Sequence, residues 1–226
     1  MSRAGCDTLL FDLDGTLTDT DALHIAAYRR ILARDGRWLS AADYKARVMG
    51  ATNAAIMGWM FPGLDEAEHA ALADEKERLF RSMVGRLRPL PGLTALLEWA
   101  AGLALRTAVV TNAPRDNAEL MLGGLGLATR FPVLVIGDEL ARGKPDPLPY
   151  ATALERLGST ADRAFAFEDS CSGVRAAAAA GIETFGLLTG LDEPTLRAAG
   201  AAAVIDDFAD PRLLAKLEAE FGSRPA

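Results

Sequence analysis

Apolar segments of two kinds alternate along this chain. Short continuous apolar runs predict buried β-strands, and longer stretches with apolar residues three or four positions apart predict amphipathic helices. The predicted strands are residues 8–11, 106–111, 133–136, 164–167, 183–188 and 202–205. Apolar strands that alternate with helices are typical of a mainly parallel sheet covered on both faces, so the pattern predicts an α/β fold.

The stretch between the first two strands, residues 18–88, contains no predicted strand and is called the helical segment below. Four helices are predicted in it, one ending at Asp35-Gly36 and the others over 40–48, 52–60 and 65–84. A block of this length can form a small unit of its own. Charges of both signs at helical spacing over 74–81 predict a solvated helix face.

Beyond the stiff Pro-Leu-Pro-Gly connector at 89–92, helices alternate with the remaining strands. They are predicted over 94–101, 116–125, 147–157, 172–180 and 211–221. Ligands of parallel sheets bind at the carboxyl ends of the strands, so the residues that follow each strand are the candidates for chemistry.

Asp12 and Asp14 follow the first predicted strand, and Gly15 follows them at once. Side chains at i and i+2 of an extended chain point the same way, so these carboxylates converge if strand geometry persists. Two close carboxylates need a cation or a shared proton, and oxygen ligands suit Mg²⁺. A calcium loop of the EF-hand type is excluded, because position twelve counted from Asp12 is Leu23 instead of glutamate.

Polar residues also follow the next three strands. These are Thr111-Asn112 before a helix start, Lys144 between Gly143 and Pro145, and the acidic pair Glu168-Asp169. Together they predict a phosphoryl-transfer site. Asp12, Asp14 and Asp169 would hold Mg²⁺, while the Thr111 hydroxyl and Lys144 stabilise charge on the transferring group. An aspartate would attack phosphorus, and Asp14 would protonate the leaving alcohol.

Composition narrows the class of protein. The 226 residues are 50% hydrophobic and 24% charged, which is ordinary for a globular enzyme. A net charge of −7 argues against nucleic acid as a partner. Apolar runs are too short to span a membrane, residues 1–5 leave no room for a signal peptide, and the chain has two cysteines. We therefore expect a cytoplasmic protein with no membrane partner, as a monomer or weak homodimer.

Four segments resemble, in order, the four motifs of the haloacid dehalogenase-like hydrolase superfamily. They are Asp12-Leu13-Asp14-Gly15-Thr16-Leu17, Thr111-Asn112, Lys144-Pro145 and Glu168-Asp169-Ser170. The resemblance implies a Rossmann-like core of residues 1–17 and 89–226 with an all-helical mobile cap, residues 18–88, inserted in it. It also implies that Asp12 is the nucleophile, that Asp14 is the acid and base, and that Mg²⁺ is the cofactor. Residues 77–81 and 109–120 are similar to broad-specificity sugar- and glycerol-phosphate phosphatases.

Several functions fit this resemblance. The leading hypothesis is a Mg²⁺-dependent phosphatase of small metabolites such as sugar phosphates, glycerol phosphates or phosphoglycolate. Thr111, Asn112, Lys144, His24 and Asn53 would bind its substrate. A phosphosugar mutase of the β-phosphoglucomutase type is an alternative supported by His24, although Asn53 stands where that group has an arginine. A metal-free haloacid dehalogenase lacks the aspartate that Asp14 supplies. A regulatory binding protein on the same scaffold is the alternative outside enzymes.

Overall fold

The computed structural model describes residues 5–221, and six parallel strands form its central sheet. The strands are β1 (Thr8–Phe11), β2 (Arg106–Thr111), β3 (Val133–Ile136), β4 (Ala164–Glu168), β5 (Glu183–Leu187) and β6 (Ala203–Ile205). Their spatial order is β3-β2-β1-β4-β5-β6, and every neighbouring pair is parallel. The predicted fold class, a Rossmann-like parallel sheet with helices, is confirmed.

Three phenylalanines stack across the middle of the sheet and help to fix its register. Phe11 of β1 pairs with Phe167 of β4, and Phe167 pairs with Phe185 of β5. The ring centroids lie 5.0 Å and 5.5 Å apart in nearly parallel planes. Such cross-strand aromatic contacts contribute about 0.5–1.5 kcal/mol each beyond their buried area. This register places the residue after Phe11, Asp12, beside the end of β4.

Ten α-helices surround the sheet within the described residues. They are α1 (Asp21–Leu32), α2 (Ala41–Asp43), α3 (Asn53–Met60), α4 (Glu66–Met83), α5 (Leu93–Gly102), α6 (Arg115–Gly124), α7 (Leu148–Leu157), α8 (Cys171–Ala179), α9 (Glu193–Ala199) and α10 (Pro211–Phe221). Helix α9 is absent from the sequence prediction, although Asp192 caps it by accepting from the Thr195 N–H. The predicted helix 40–48 is α-helical only at its start and continues as a π-helical turn, Tyr44–Val48.

The helical segment contains α1 to α4 and no described strand, as its pattern predicts. It has an apolar cluster of its own that includes Tyr28, Leu32, Ile56, Met57 and Met60. Its two connections to the rest of the chain lie side by side, because the Leu90 N–H donates to the Leu17 carbonyl over 2.9 Å. Its division from a core at residues 17 and 89, and its movement as a cap, stay predictions.

Helix α4 corrects one expectation. The predicted solvated face at 74–81 is wrong for Lys76 and Glu77, which are 2% and 5% exposed. They share a buried stripe with Ala73 and Phe80, and these four positions are spaced three, four and seven apart. That is the spacing of an inward helix face, so the signal was present in the sequence and the charges concealed it.

No helix among residues 5–221 is both long enough and apolar enough to cross a membrane. The expectation of no signal peptide rests largely on residues 1–4, which lie outside the described residues.

Replacement of Gly92 by alanine should destabilise the connection that returns from the helical segment. Gly92 precedes α5 with φ at +78°, and a Cβ there would lie 2.3 Å from the backbone nitrogen of Ala209. We expect Gly92→Ala to lower the free energy of unfolding by at least about 1–3 kcal/mol, read from urea denaturation. Gly63→Ala is the matched control, because no heavy atom lies within 4 Å of a Cβ at that position. Equal stability of the two variants would contradict the prediction.

Candidate active site

The ammonium group of Lys144 joins carboxylates that follow two neighbouring strands. Its Nζ donates to Asp12 Oδ1 over 2.6 Å and to Glu168 Oε1 over 2.5 Å. Asp12 follows β1 and Glu168 ends β4, which are paired in the sheet. All three side chains are buried. Burial alone would lower the pKa of Lys144, but the charges of Asp12 and Glu168 outweigh it and the pKa is raised.

The side chain of Asn112 holds the loop that carries Lys144. Its Oδ1 accepts from the Lys144 N–H over 3.0 Å, and its Nδ2 donates to the Lys144 carbonyl over 3.1 Å. The same Nδ2 donates to the carbonyl of Gly50 in the helical segment over 3.0 Å. Asn112 therefore positions two loops, and the predicted contact between its side chain and substrate stays a prediction.

Three carboxylates are crowded at this edge of the sheet. Oxygens of Asp12, Glu168 and Asp169 lie within 4.8 Å of one another. Burial raises the pKa of Asp12 well above its usual value, although Lys144 opposes the shift. Burial also raises the pKa of Asp169, and the charges of Asp12 and Glu168 raise it further. A divalent cation would relieve this repulsion, and the all-oxygen donor set is of the kind that Mg²⁺ prefers.

Glu168 differs from the two aspartates because both of its oxygens already accept hydrogen bonds, whereas Asp12 and Asp169 each have one oxygen engaged. Oε1 accepts from Lys144 and from the Tyr150 hydroxyl, the latter over 2.6 Å, and Oε2 accepts from the Ser170 hydroxyl over 3.3 Å. Asp169 has one longer contact, from the Thr16 hydroxyl over 3.4 Å. Asp12 and Asp169 are therefore the carboxylates better placed to ligate an ion, with Glu168 behind them.

Asp14 points to a different group of partners. Its Oδ1 accepts from the Thr20 hydroxyl over 2.6 Å and lies 3.0 Å from His24 Nε2. The other ring nitrogen of His24, Nδ1, lies 2.7 Å from Lys76 Nζ. Burial would raise the pKa of Asp14, but the hydrogen bond and charge of His24 and the bond from Thr20 outweigh it, and the pKa is lowered. The sequence prediction missed Lys76.

Glu77 of α4 is a buried carboxylate that lines the cavity on the side formed by the helical segment. Its Oε1 accepts from Lys76 over 3.0 Å and from Asn53 Nδ2 over 2.9 Å, and its Oε2 accepts from Asn117 Nδ2 over 2.7 Å. Asn117 belongs to α6 and its Oδ1 accepts from Arg81 over 2.8 Å. The sequence prediction missed Glu77 and Asn117, which come from different helices and share no local motif.

One cavity collects all the residues predicted for the site. Its lining includes Asp12, Asp14, His24, Asn53, Thr111, Asn112, Lys144 and Asp169. The Thr111 hydroxyl accepts from the N–H of Ala113 over 2.9 Å, just before α6 begins. The structure thus brings the strand-end residues of β1, β2 and β4 and the residues of the helical segment around a single space.

The model of the haloacid dehalogenase-like hydrolase family matches residues 9–187, most of the chain. The chain belongs to this family. The match spans β1 to β5, all four motifs and the helical segment, and so agrees with the resemblance seen in the sequence.

Two relatives of this haloacid dehalogenase-like hydrolase carry the names of phosphatases. It is 34% identical over 206 residues to a phosphorylated carbohydrates phosphatase of Thermotoga maritima, covering 88% of this chain and 94% of that protein. It is 35% identical over 212 residues to a phosphoglycolate phosphatase of Rhodospirillum rubrum, covering 89% and 87%. CbbY from Rhodobacter sphaeroides, solved with xylulose-(1,5)-bisphosphate, superimposes with a TM-score of 0.82 at 27% identity, covering 94% and 99%.

The family match and these relatives make this hydrolase a phosphatase, that is, a phosphoric monoester hydrolase. The alternative outside enzymes, a regulatory binding protein, is thereby set aside. The names of the relatives differ in substrate, so they leave open which ester this hydrolase cleaves.

Removal of the Tyr150 hydroxyl should destabilise the protein, because that hydroxyl helps to hold the Glu168 carboxylate that binds Lys144. Tyr150 is fully buried, and its hydroxyl donates to the same Glu168 oxygen as Lys144. A hydrogen bond to a charged acceptor contributes about 1.5–3 kcal/mol, so Tyr150→Phe should lower the free energy of unfolding by that amount. Tyr28→Phe is the control, because Tyr28 is also buried and its hydroxyl makes no side-chain hydrogen bond within the described residues. Urea denaturation measures both, and a loss no larger than that of the control would contradict the assignment.

Proposed function

We propose that this chain is a Mg²⁺-dependent phosphatase that hydrolyses small phosphorylated metabolites through an aspartyl-phosphate on Asp12. The observation that carries the proposal is the Lys144 bridge. Lys144 Nζ lies 2.6 Å from Asp12 Oδ1 at the carboxyl end of β1. Asp12 belongs to the same acidic cluster as Asp169 and lines the same cavity as Asp14. The names of the relatives support the class of substrate.

In this proposal Asp12 and Asp169 hold the Mg²⁺ ion, and the family resemblance adds the backbone carbonyl of Asp14. When bound, the ion would neutralise the crowded carboxylates and withdraw charge from a phosphate oxygen. Glu168 acts behind these ligands, since its oxygens are engaged by Lys144, Tyr150 and Ser170. Its part is to orient Lys144.

The first chemical step is attack of an Asp12 oxygen on phosphorus, with cleavage of the bond to the leaving alcohol oxygen. Lys144 supports this step because its raised pKa keeps the ammonium charged at neutral pH, so it can donate to an equatorial phosphate oxygen. The Thr111 hydroxyl lines the same cavity at the start of α6 and can donate to a second equatorial oxygen. Hydrolysis of the aspartyl-phosphate then releases inorganic phosphate.

Asp14 moves the protons. It gives one to the leaving alcohol in the first step and takes one from the attacking water in the second. Its lowered pKa suits the second role, because the carboxylate is then in the base form. His24, held between Asp14 and Lys76, orients the Asp14 carboxylate and is a positioning residue in this proposal.

The mutase alternative needs a firm grip on a second phosphate. Asn53 stands where that group has an arginine, and its amide nitrogen already donates to Glu77 over 2.9 Å. Neutral asparagine cannot replace a bidentate cation, so the cavity favours hydrolysis of monophosphates. A metal-free dehalogenase is disfavoured by Asp14, which that group lacks. The cytoplasmic location and the monomer or weak homodimer stay predictions from the sequence.

The nucleophile and the metal are tested together by phosphate release. The wild-type protein should release inorganic phosphate from glycerol phosphate or p-nitrophenyl phosphate with Mg²⁺ and lose this activity in EDTA. Asp12→Asn should lower kcat by at least about a thousandfold, because an amide cannot form the phosphoenzyme. The fold of the variant is checked by its unfolding midpoint. Substantial turnover by a preparation free of wild-type protein, or full activity in EDTA, would refute the mechanism.

The proton role of Asp14 is tested by the leaving group. Asp14→Asn should lower kcat for an alkyl phosphate by about 10²–10⁴-fold, the usual contribution of a general acid. The defect should be much smaller for p-nitrophenyl phosphate, whose leaving group needs little protonation in the first step. The comparison is made at saturating Mg²⁺ in single-turnover experiments, which isolate that step. Equal losses for the two esters would rule out Asp14 as the acid.

A further inference from the structure

The side of the cavity formed by the helical segment carries no surplus positive charge. Lys76 is the sole lysine or arginine that this segment contributes to the cavity lining among the described residues. The other lysine of the lining, Lys144, is engaged by Asp12 and Glu168 at the opposite side. Asp14, the proposed acid for the leaving alcohol, lies 3.0 Å from His24, and the other ring nitrogen of His24 lies 2.7 Å from Lys76 Nζ, so the leaving group is expected on this side.

The charge of Lys76 is already matched. Its Nζ lies 3.0 Å from Glu77 Oε1 and 2.7 Å from His24 Nδ1, with 2% of the residue exposed. Burial lowers the pKa of Lys76, and the charges of Glu77 and Asp14 only partly oppose this. Lys76 therefore offers a distal anion no unpaired cation.

Glu77 is the buried carboxylate that pairs with Lys76 on this side of the cavity. Hydrogen bonds from Lys76, Asn53 and Asn117 hold both of its oxygens. Burial would raise the pKa of Glu77, but the charges of Lys76 and His24 and the hydrogen bond from Asn53 outweigh it, and the pKa is lowered. Glu77 is therefore ionised at neutral pH and remains the buried counter-ion of Lys76.

Asn53 adds a second preference. Its Nδ2 donates one hydrogen to Glu77, so its Oδ1 and the second Nδ2 hydrogen are left for a ligand in the cavity. That oxygen accepts hydrogen bonds and repels another acceptor. A hydroxyl can use both groups, since it donates to the oxygen and accepts from the remaining N–H, whereas a carboxylate or a phosphate dianion can use only the N–H.

We propose that Glu77 is a specificity-determining residue that reserves the leaving-group side for neutral, hydroxyl-bearing phosphate esters. Esters whose leaving group carries a carboxylate or a second phosphate are disfavoured, because Glu77 occupies Lys76 and leaves no unpaired cation on this side to offset the burial of a second anion. The inference rests on the proposed phosphatase function and adds the substrate class. It places this chain with phosphorylated polyols and sugars, apart from phosphoglycolate and sugar bisphosphates.

Matched esters test this on the wild-type protein. Glycerol 3-phosphate and 3-phosphoglycerate have the same carbon number and differ in a hydroxymethyl group against a carboxylate. 2-Hydroxyethyl phosphate and phosphoglycolate form a second such pair. We expect kcat/KM to be at least about tenfold higher for the neutral member of each pair, equivalent to about 1.4 kcal/mol of transition-state discrimination.

Glu77→Gln tests the residue itself. The substitution keeps the size and one acceptor oxygen and removes the charge, so the neutral-to-anionic ratio of kcat/KM should fall by about tenfold. A fault in folding would lower both members alike and leave the ratio unchanged. Glu75→Gln is the control, because Glu75 lies on the same helix, pairs with Arg34 and is absent from the cavity lining. Its ratio should match the wild type.

The outcomes are separable. Comparable kcat/KM for the two members in the wild-type protein, or a preference for the anionic member, overturns the specificity inference while the phosphatase function stands. A Glu77→Gln protein that folds and keeps the wild-type ratio overturns the role of Glu77. Failure to release phosphate from every ester, p-nitrophenyl phosphate included, overturns the proposed function. If the variant does not fold, the wild-type ratios decide the inference.

Discussion

The fold depends most on the burial of three carboxylates and one ammonium at the carboxyl ends of β1 and β4. Asp12, Glu168, Asp169 and Lys144 are each less than 9% exposed. Breaking a buried ion pair by removing one partner costs about 3–5 kcal/mol, so such a group persists only if every partner is in place. Several otherwise unrelated features follow from this requirement, among them the Phe11–Phe167 register, the Asn112 clamp and the glycines that face these carboxylates.

Two glycines show how tightly the acidic group is packed. A Cβ at Gly173 would lie 1.9 Å from the Glu168 carboxylate, and a Cβ at Gly15 would lie 2.0 Å from Asp169 Oδ2. Gly15 also has φ at +77°, which L side chains rarely adopt. Backbone must therefore approach the carboxylates directly, and the aspartates cannot relax away from one another. The packing therefore keeps the carboxylates close together, and the binding of a cation would relieve their mutual repulsion.

The amino-acid sequence is sufficient to predict the features that depend on local pattern. Short apolar strands predict the parallel sheet, and the rule that ligands bind at the carboxyl ends of strands correctly groups Asp12, Thr111 and Lys144 in one cavity. The prediction fails where charge and burial disagree. Lys76 and Glu77 lie on a strongly charged helix whose pattern is typical of a solvated face, yet each neutralises the other inside the protein. Such pairing is a tertiary property, because the other partners of Glu77 come from α3 and α6.

Asn112 connects the helical segment to the loop that carries Lys144. Its Nδ2 meets the Gly50 carbonyl of the helical segment and the Lys144 carbonyl of the catalytic loop. The position of the helical segment is thereby coupled to that of Lys144, and Asn117 makes a second such link through Glu77. In the proposed mechanism the strand ends supply the reacting groups, while α3 and α4 supply the side of the cavity that a leaving group meets. Since these two sets of residues lie on different elements of the chain, a substitution in α3 or α4 can change the charge on this side of the cavity while Lys144 keeps its contact with Asp12. The relatives of this chain carry the names of phosphatases for different esters, and such a variable side of the cavity is a physical basis for that difference.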